Sequence, residues 1–287
     1  MKIGFGTYAT PRVPLAQVLP HVAQMGYESV ELCVASQYEA APHKLGSAER
    51  AALRGQVQDL GLELSGLMVF VNLLAEDPEE LGQQEDLFRR VCLLAQDLAI
   101  DPASRVIAST IGHGPQTWEQ DADEILRRVA RFAEIADQES CRFALEPHVG
   151  GILSDPERSA WVVEQARGRN ASAAHALGLN FDISHFTVGG YPLEETVARL
   201  APYSWHTHVK DGRMEDGKVR FLLPGEGDTD YVAYFRAMAA TGWTGAVTVE
   251  VSAQIFNRED YDPWSAAQFC LDHLRRARAE AGIPTIV

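Results

Sequence analysis

Short runs of apolar and β-branched residues alternate with longer amphipathic stretches along the chain. The short runs have the length and composition of buried strands. The longer stretches repeat their apolar residues every three to four positions, as helices packed on one face do. The sequence therefore predicts eight strands separated by helices. These strands are expected at residues 2–8, 29–34, 63–70, 105–110, 142–148, 177–184, 204–210 and 246–252.

The ends of the amphipathic stretches carry helix boundary signals. PLAQVLPHVAQMG and SAERAALRGQVQDLG both close on glycine, which suits the left-handed residue that commonly ends a helix. Asp155 and Pro156 precede ERSAWVVEQA and are typical of an N-cap followed by the first helical position. These signals support the division into helices and strands.

Strict alternation of strands and helices implies parallel strands joined by crossover helices. An open, doubly wound sheet also alternates, but eight units within 287 residues fit a closed (β/α)8 TIM barrel better. No GxGxxG follows the first strand, which removes the main reason to prefer a dinucleotide-binding fold. No linker or repeat is evident, so we predict one barrel domain over residues 1–287.

Composition excludes several classes of protein. The formal net charge is −15 and there is no basic stripe, which argues against a nucleic-acid partner because phosphate neutralisation supplies much of that affinity. The most apolar stretch, SGLMVFVNLLA, is shorter than the ~20 residues of a membrane span, and the N-terminus lacks the features of a signal peptide. The four cysteines form no CxxC pair, in keeping with a cytoplasmic protein.

Four ionisable residues lie within the otherwise apolar sequences of the last four predicted strands. They are Glu146 in FALEPH, Asp182 in NFDISH, His208 in WHTHVKD and Glu250 in TVEVS. Each stands near the carboxyl end of its strand, and in a parallel barrel these ends surround one mouth. Three carboxylates and an imidazole repel or go unpaired in such a pocket unless a cation lies among them.

The alternative is that each residue is a structural ion-pair or hydrogen-bond partner, which is the commoner role of a single buried carboxylate. Four at equivalent positions on successive strands favour a site for one divalent metal ion. An oxygen-rich site with one nitrogen suits Mn²⁺, our first expectation, and also Co²⁺, Mg²⁺ or Zn²⁺.

The chain resembles the xylose isomerase-like TIM-barrel superfamily of sugar phosphate isomerases and epimerases. The resemblance covers essentially the whole chain. It rests on GYESVEL at the second strand, then ALEPH, FDISH, HTHVKD, the LPGEGDTDY loop and GWTGAVTVEVS. Within this superfamily, these motifs most resemble those of ketose 3-epimerases and of inosose isomerases or dehydratases.

The resemblance implies that Glu146, Asp182, His208 and Glu250 bind the metal. It also implies that the two glutamates form an acid–base pair on opposite faces of the substrate. His185, the histidine of the DxxH spacing, would contact substrate hydroxyls or the water on the metal. The residues agree with this chemistry, since a metal across a carbonyl and its neighbouring hydroxyl stabilises an enediolate while flanking carboxylates move the proton.

The implied function is metal-dependent isomerisation or epimerisation of a sugar, keto-sugar or cyclitol. Arg213 lies within one position of the arginine that ketose epimerases have after the histidine strand, and we expect it to bind substrate. The sequence HTHVKDGR is more similar to that of inosose-type members than to that of ketose epimerases. The alternative is therefore a lyase, a dehydratase or eliminase acting on a keto-sugar, inosose or keto-glycoside through the same site.

Three residues near the four proposed metal ligands are further candidates for substrate binding. His148 and His206 each lie two positions from a proposed ligand and so share its face of the strand. His206 could equally support the metal site without contacting the metal itself. Lys210, two positions after His208, could neutralise an enolate.

Other polar residues favour a structural role. Glu31 ends the second strand and is interpreted as structural, with a contact to substrate or to a lysine as the alternative. Asp211 is interpreted as a helix or loop anchor, and His113 as a hydrogen-bonding residue of the loop after the fourth strand.

A DNA-repair endonuclease of the related barrel family is a further enzyme class with this fold. Its additional metal-binding pair would fall near Val219 and Phe221, and neither side chain binds metal. No cluster of arginine and lysine marks a phosphate site, which favours an unphosphorylated sugar-like substrate. The sequence leaves the oligomeric state open, a homo-oligomer included.

Overall fold

The computed structural model describes residues 1–284, and its central feature is a closed barrel of eight parallel strands. Each barrel strand lies within or against one of the eight predicted segments, so the prediction of a TIM barrel is confirmed. The barrel strands are β1 (Ile3–Gly6), β2 (Ser29–Cys33), β3 (Glu63–Met68), β4 (Val106–Thr110), β5 (Arg142–Glu146), β6 (Leu177–Asp182), β7 (Ser204–Val209) and β10 (Val247–Val249). Around the barrel their order is β1, β10, β7, β6, β5, β4, β3, β2.

Helices occupy the connections between strands and cover the outside of the barrel. The longer ones are α1 (Leu15–Met25), α2 (Ser47–Asp59), α3 (Pro78–Leu98), α4 (Trp118–Gln138), α5 (Pro156–Arg169), α9 (Tyr231–Ala240) and α11 (Pro263–Glu280). The shorter ones are α6 (Ala171–Ala176), α7 (Ile183–Val188), α8 (Leu193–Leu200) and α10 (Ala253–Phe256). Within residues 1–284, no helix is both long and apolar enough to cross a bilayer.

Two of the boundary signals read from the sequence act as expected. Helix α1 ends at Gly26, which has a φ of 95° in the left-handed region. The carboxylate of Asp155 caps α5 by accepting hydrogen bonds from the backbone N–H groups of Glu157 and Arg158, at 2.8 and 3.0 Å. These contacts satisfy backbone groups that a helix end leaves without partners.

A two-stranded antiparallel hairpin was not predicted. It comprises β8 (Asp211–Glu215) and β9 (Lys218–Leu222) and follows β7 at the carboxyl end of the barrel. Its turn is Asp216-Gly217, and both residues have positive φ, 49° and 72°. An Asp-Gly pair between two extended runs is a strong hairpin signal, so the sequence contained the information.

Apolar side chains on both faces of the barrel strands form the core. Three phenylalanines from α3, α4 and β5 pack together. The ring of Phe88 meets both others edge to face, with its centroid 5.3 Å from that of Phe132 and 5.2 Å from that of Phe143. Inside the barrel, the last strands and β2 carry buried ionisable residues instead. That polar interior is where the candidate site lies.

Candidate metal centre

The four predicted metal ligands lie on four neighbouring strands at one end of the barrel. Glu146 and Asp182 are the last residues of β5 and β6, His208 lies in β7, and Glu250 directly follows β10. Strand pairing sets Asp182 beside His208, and His208 beside Thr248. Their side chains therefore point into the same layer of the barrel.

The ligand atoms of these four residues converge. One side-chain oxygen or nitrogen from each lies within 4.8 Å of those of the other three, and all four residues are buried. The Nδ1 atom of His208 is 3.1 Å from Oε1 of Glu146 and 3.4 Å from Oε2 of Glu250. Such a cluster of buried carboxylates with one imidazole could hold a metal ion.

Neighbouring groups orient two of the carboxylates. Oδ1 of Asp182 caps α7 by accepting from the backbone N–H of Ser184 at 2.9 Å, which leaves Oδ2 for the site. Nδ2 of Asn180 donates to Oε1 of Glu146 at 3.1 Å and lies 3.0 Å from Nδ1 of His208. Asn180 was missed by the sequence reading, although it stands two positions before Asp182 and so shares its face of the strand.

Lys210 is a cationic member of the cluster. Its buried ammonium group contacts Oδ2 of Asp182 and Oε2 of Glu250. Burial alone would lower the pKa of Lys210, but the two carboxylates raise it above its usual value. For Glu250, burial raises the pKa, whereas Lys210 and His208 lower it well below its usual value. Both groups are therefore charged at neutral pH.

His185 lies beside Lys210 as a neutral imidazole. Its Nε2 atom is 3.2 Å from Nζ of Lys210, and an ammonium group only donates hydrogen bonds, so Nε2 accepts. Burial, and then Lys210, lower the pKa of His185 well below its usual value. The other ring nitrogen, Nδ1, is buried and has no hydrogen-bond partner within residues 1–284. The ring of His148 lies against it, with centroids 4.0 Å apart.

Glu31 lies inside the barrel behind His208. Its side chain is completely buried, and its two carboxylate oxygens are 2.9 and 3.0 Å from Nε2 of His208. Burial raises the pKa of Glu31, but His208 and His206 beside it lower the pKa to about 2. The sequence predicted a structural role for Glu31, with a contact to substrate or to a lysine as the alternative, and its partners are the two histidines of β7.

A cavity of about 430 Å³ opens at the carboxyl end of the barrel next to these residues. This volume suits a small-molecule ligand. The polar side chains that line the cavity include Glu146, Glu250, Lys210, His148, His185 and His113. Tyr8, Phe70 and Phe221 contribute aromatic surface, and Tyr8 and Phe70 meet edge to face at 5.5 Å.

Two of the expected substrate-binding residues lie away from this cavity. Arg213 is on the exposed β8–β9 hairpin, where its guanidinium pairs with Glu215 at 2.5 Å. His206 is buried and lines a separate cavity at the opposite, amino-terminal end of the barrel. Neither side chain is among those that line the cavity at the carboxyl end.

Asp211 anchors the loop that follows the hairpin. Its Oδ2 atom accepts hydrogen bonds from the backbone N–H groups of Gly225 and Gly227, at 2.7 and 3.1 Å. This contact agrees with its interpretation as a loop anchor, and it holds the GEG turn.

The sequence profile of the family described as xylose isomerase-like TIM barrel matches residues 19–275. A protein named inosose dehydratase, from Geobacillus kaustophilus, is 22% identical over an alignment of 263 positions that covers 82% of this chain and 79% of that protein.

Solved structures share the fold over nearly the whole chain. The IOLI protein with a bound zinc atom superposes with a TM-score of 0.76 at 17% identity, covering 98% of each chain. D-psicose 3-epimerase in the presence of D-fructose gives a TM-score of 0.75 at 16% identity, covering 98% of this chain and all of that one. At these identities the similarity shows the fold alone.

Proposed function

This chain belongs to the xylose isomerase-like TIM-barrel family, and from that premise we propose that it is a metal-dependent isomerase or epimerase of a sugar, keto-sugar or cyclitol. One observation carries the proposal: four buried donor side chains converge at the carboxyl end of the barrel, beside a cavity of suitable size. In a TIM barrel this end is where active sites form.

The donor set fits a divalent cation. Buried carboxylates outnumber the cationic side chains among them, because Glu31, Glu146, Asp182 and Glu250 surround Lys210 and His208 in this cluster. Glu146, Asp182, His208 and Glu250 would hold the ion, and Mn²⁺ remains our first expectation. The zinc atom of the IOLI protein supports a metal in this fold. When bound, the metal supplies positive charge that stabilises the oxygen anion of a deprotonated keto-sugar.

The two glutamates are suited to moving a proton. Strands β6 and β7 separate β5 from β10, so Glu146 and Glu250 reach the site from different sides. Lys210 keeps Glu250 ionised, which is the form that accepts a proton. We propose that one glutamate removes the proton beside the substrate carbonyl and that the other returns a proton, on the opposite face in an epimerisation.

Three further residues would hold the substrate. The ammonium of Lys210 lies at the cavity wall and would contact a substrate oxygen that becomes negative during proton removal. The unpaired Nδ1 of His185, with its hydrogen, would donate to a substrate hydroxyl, and His148 lines the cavity next to it.

The cavity also supports a substrate without a phosphate. Among the described residues that line it, Lys210 is the single lysine or arginine, and its charge is already balanced by Asp182 and Glu250. A phosphate group would find no further cation on that wall. We therefore propose a neutral, polyhydroxylated keto compound.

The second candidate is a lyase that eliminates water or an aglycone after the same proton abstraction. It is favoured by the curated relative named inosose dehydratase, with which this chain aligns over 82% of its length.

Solvent isotope exchange tests the proposal. The metal-loaded protein is incubated in D₂O with ketohexoses, ketopentoses, inososes and 3-keto-glycosides, and proton NMR follows the carbon beside the carbonyl. We expect deuterium to enter that carbon of at least one compound, and a chelator to stop the exchange. Exchange with loss of water or aglycone assigns the lyase reaction. Absence of exchange across all four classes refutes the proposal.

A further inference from the structure

A second cluster of buried polar groups in the barrel interior contains the carboxylate of Glu31. Its exposed fraction is 0%, and it lies between two histidines of the same strand. Nε2 of His208 is 2.9 Å from Oε1, and Nε2 of His206 is 3.0 Å from the same oxygen. Glu31 is not among the residues that line the substrate cavity, so its role must act through the histidines.

Glu31 dictates which nitrogen of His208 carries a hydrogen. An ionised carboxylate only accepts hydrogen bonds, so Nε2 of His208 must be the donor. In the neutral imidazole the other nitrogen, Nδ1, then carries a lone pair. Nδ1 is the atom that faces Glu146 and Glu250, at 3.1 and 3.4 Å.

We propose that Glu31 is a positioning residue that fixes the tautomer and ring orientation of His208, so that Nδ1 is the nitrogen offered to the metal. A metal-ligating histidine commonly donates its second ring N–H to a carboxylate, which strengthens the ligand and holds its plane. This inference rests on the metal site of the proposed function and adds a residue outside the four ligands.

His206 completes the arrangement from the far side. Its ring centroid is 5.1 Å from that of His208 at an interplanar angle of 82°. Its Nε2 lies 3.0 Å from Oε1 of Glu31 but is not aligned for a hydrogen bond, so His206 contacts the carboxylate without donating to it. We assign it to the support of Glu31 because it lines the amino-terminal cavity and not the substrate cavity.

Glycines lie beside Glu31 on both neighbouring strands, and one of them, Gly6, makes room for its carboxylate. Strand pairing sets Gly6 of β1 and Gly66 of β3 opposite Glu31 on its two sides. A Cβ atom at Gly6 would lie 3.3 Å from Oε2 of Glu31 and 3.0 Å from the carbonyl oxygen of Val249, so a larger residue would crowd the carboxylate. The barrel wall around Glu31 is thus shaped for a side chain that reaches the centre.

Metal affinity of the substitution Glu31→Gln provides the test. The glutamine has nearly the same shape, but its amide can present either an acceptor or a donor to His208. We expect Mn²⁺ to bind about 10- to 100-fold more weakly than to the wild type, with saturating Mn²⁺ restoring turnover. The matched control is Glu63→Gln, at an exposed position where β3 begins, and it should leave the affinity unchanged.

The histidine tautomer gives a second readout that does not depend on activity. In ¹⁵N-labelled, Zn²⁺-loaded wild-type protein, long-range ¹H–¹⁵N spectra should show His208 protonated at Nε2. In Glu31→Gln that signal should broaden or divide. A thermal unfolding curve of each variant separates loss of fold from loss of positioning.

The outcomes separate the two claims. If wild-type protein binds no divalent metal, both the proposed function and the role of Glu31 are wrong. If Asp182→Asn abolishes binding while Glu31→Gln keeps wild-type affinity and tautomer, the metal site stands and the positioning role is overturned. His208 protonated at Nδ1 in the loaded wild type also overturns it.

Discussion

The Nδ1 atom of His208 lies 3.1 Å from Oε1 of Glu146, although 62 positions separate the two residues in the chain. Their strands, β7 and β5, are not hydrogen-bonded to each other, because β6 runs between them. The contact forms across the barrel interior, where inward side chains from different strands meet in layers. This convergence is the basis for treating Glu146, Asp182, His208 and Glu250 as one unit.

Substitution of either glutamate by glutamine should remove activity without unfolding the protein. Glu146→Gln and Glu250→Gln each remove a carboxylate needed for proton transfer and for the metal, so turnover should fall about 10²- to 10⁴-fold. Steady-state kinetics and circular dichroism measure the two properties. The control Asp59→Asn neutralises an exposed carboxylate at the end of α2 and should be fully active. Comparable turnover in Glu250→Gln and wild type would exclude the acid–base role.

Removal of the Lys210 charge should separate metal binding from turnover. The ammonium group contacts Asp182 and Glu250 and so competes with a metal for the same oxygens. Lys210→Met should therefore keep or increase metal affinity, while turnover falls about 10²-fold because a cation that stabilises the substrate oxygen is lost. Calorimetry and kinetics on the same preparation make the comparison. Weakened metal binding in this variant would show that Lys210 supports the metal instead.

Metal binding should release a proton from His208. Burial lowers the pKa of His208, but Glu31, Glu146 and Glu250 together raise it well above its usual value of 6.5. The metal-free imidazole is then protonated at neutral pH, and a ligating nitrogen must lose that proton. Apparent affinity should fall as pH decreases and continue to rise above pH 6.5. Calorimetry in buffers of different ionisation enthalpy should report release of about one proton; no dependence on the buffer would contradict this protonation state.

Arg213 and His185 should differ in their effect on substrate binding. Arg213 lies on an exposed hairpin paired with Glu215, so Arg213→Ala should change kcat and KM by less than about twofold. His185 lines the cavity with an unpaired nitrogen, so His185→Ala should raise KM about tenfold through loss of one hydrogen bond. A large increase of KM in Arg213→Ala alone would mean that the hairpin closes over the substrate.

The sequence was sufficient to predict the barrel and the convergence of the four donors, because both follow from strand order and from the position of each residue at a strand end. It was not sufficient for Glu31 and His206. Residues two positions apart share a face, but they lie about 6.6 Å apart along the strand. His206 therefore occupies a deeper layer than His208 and faces Glu31 instead of the mouth. The position of Arg213 could not be read from the sequence for a different reason, since the turn at Asp216 and Gly217 places it on a hairpin and away from the cavity.

Crystals grown with Mn²⁺ and examined by anomalous diffraction test the central claim most directly, because manganese is located independently of the protein atoms. The account predicts one strong anomalous peak at the carboxyl end of the barrel. Side-chain atoms of Glu146, Asp182, His208 and Glu250 should each lie about 2.0–2.4 Å from it, with His208 bound through Nδ1. A peak contacted by only two of these residues, or one located between Glu31, His206 and His208, would contradict the account.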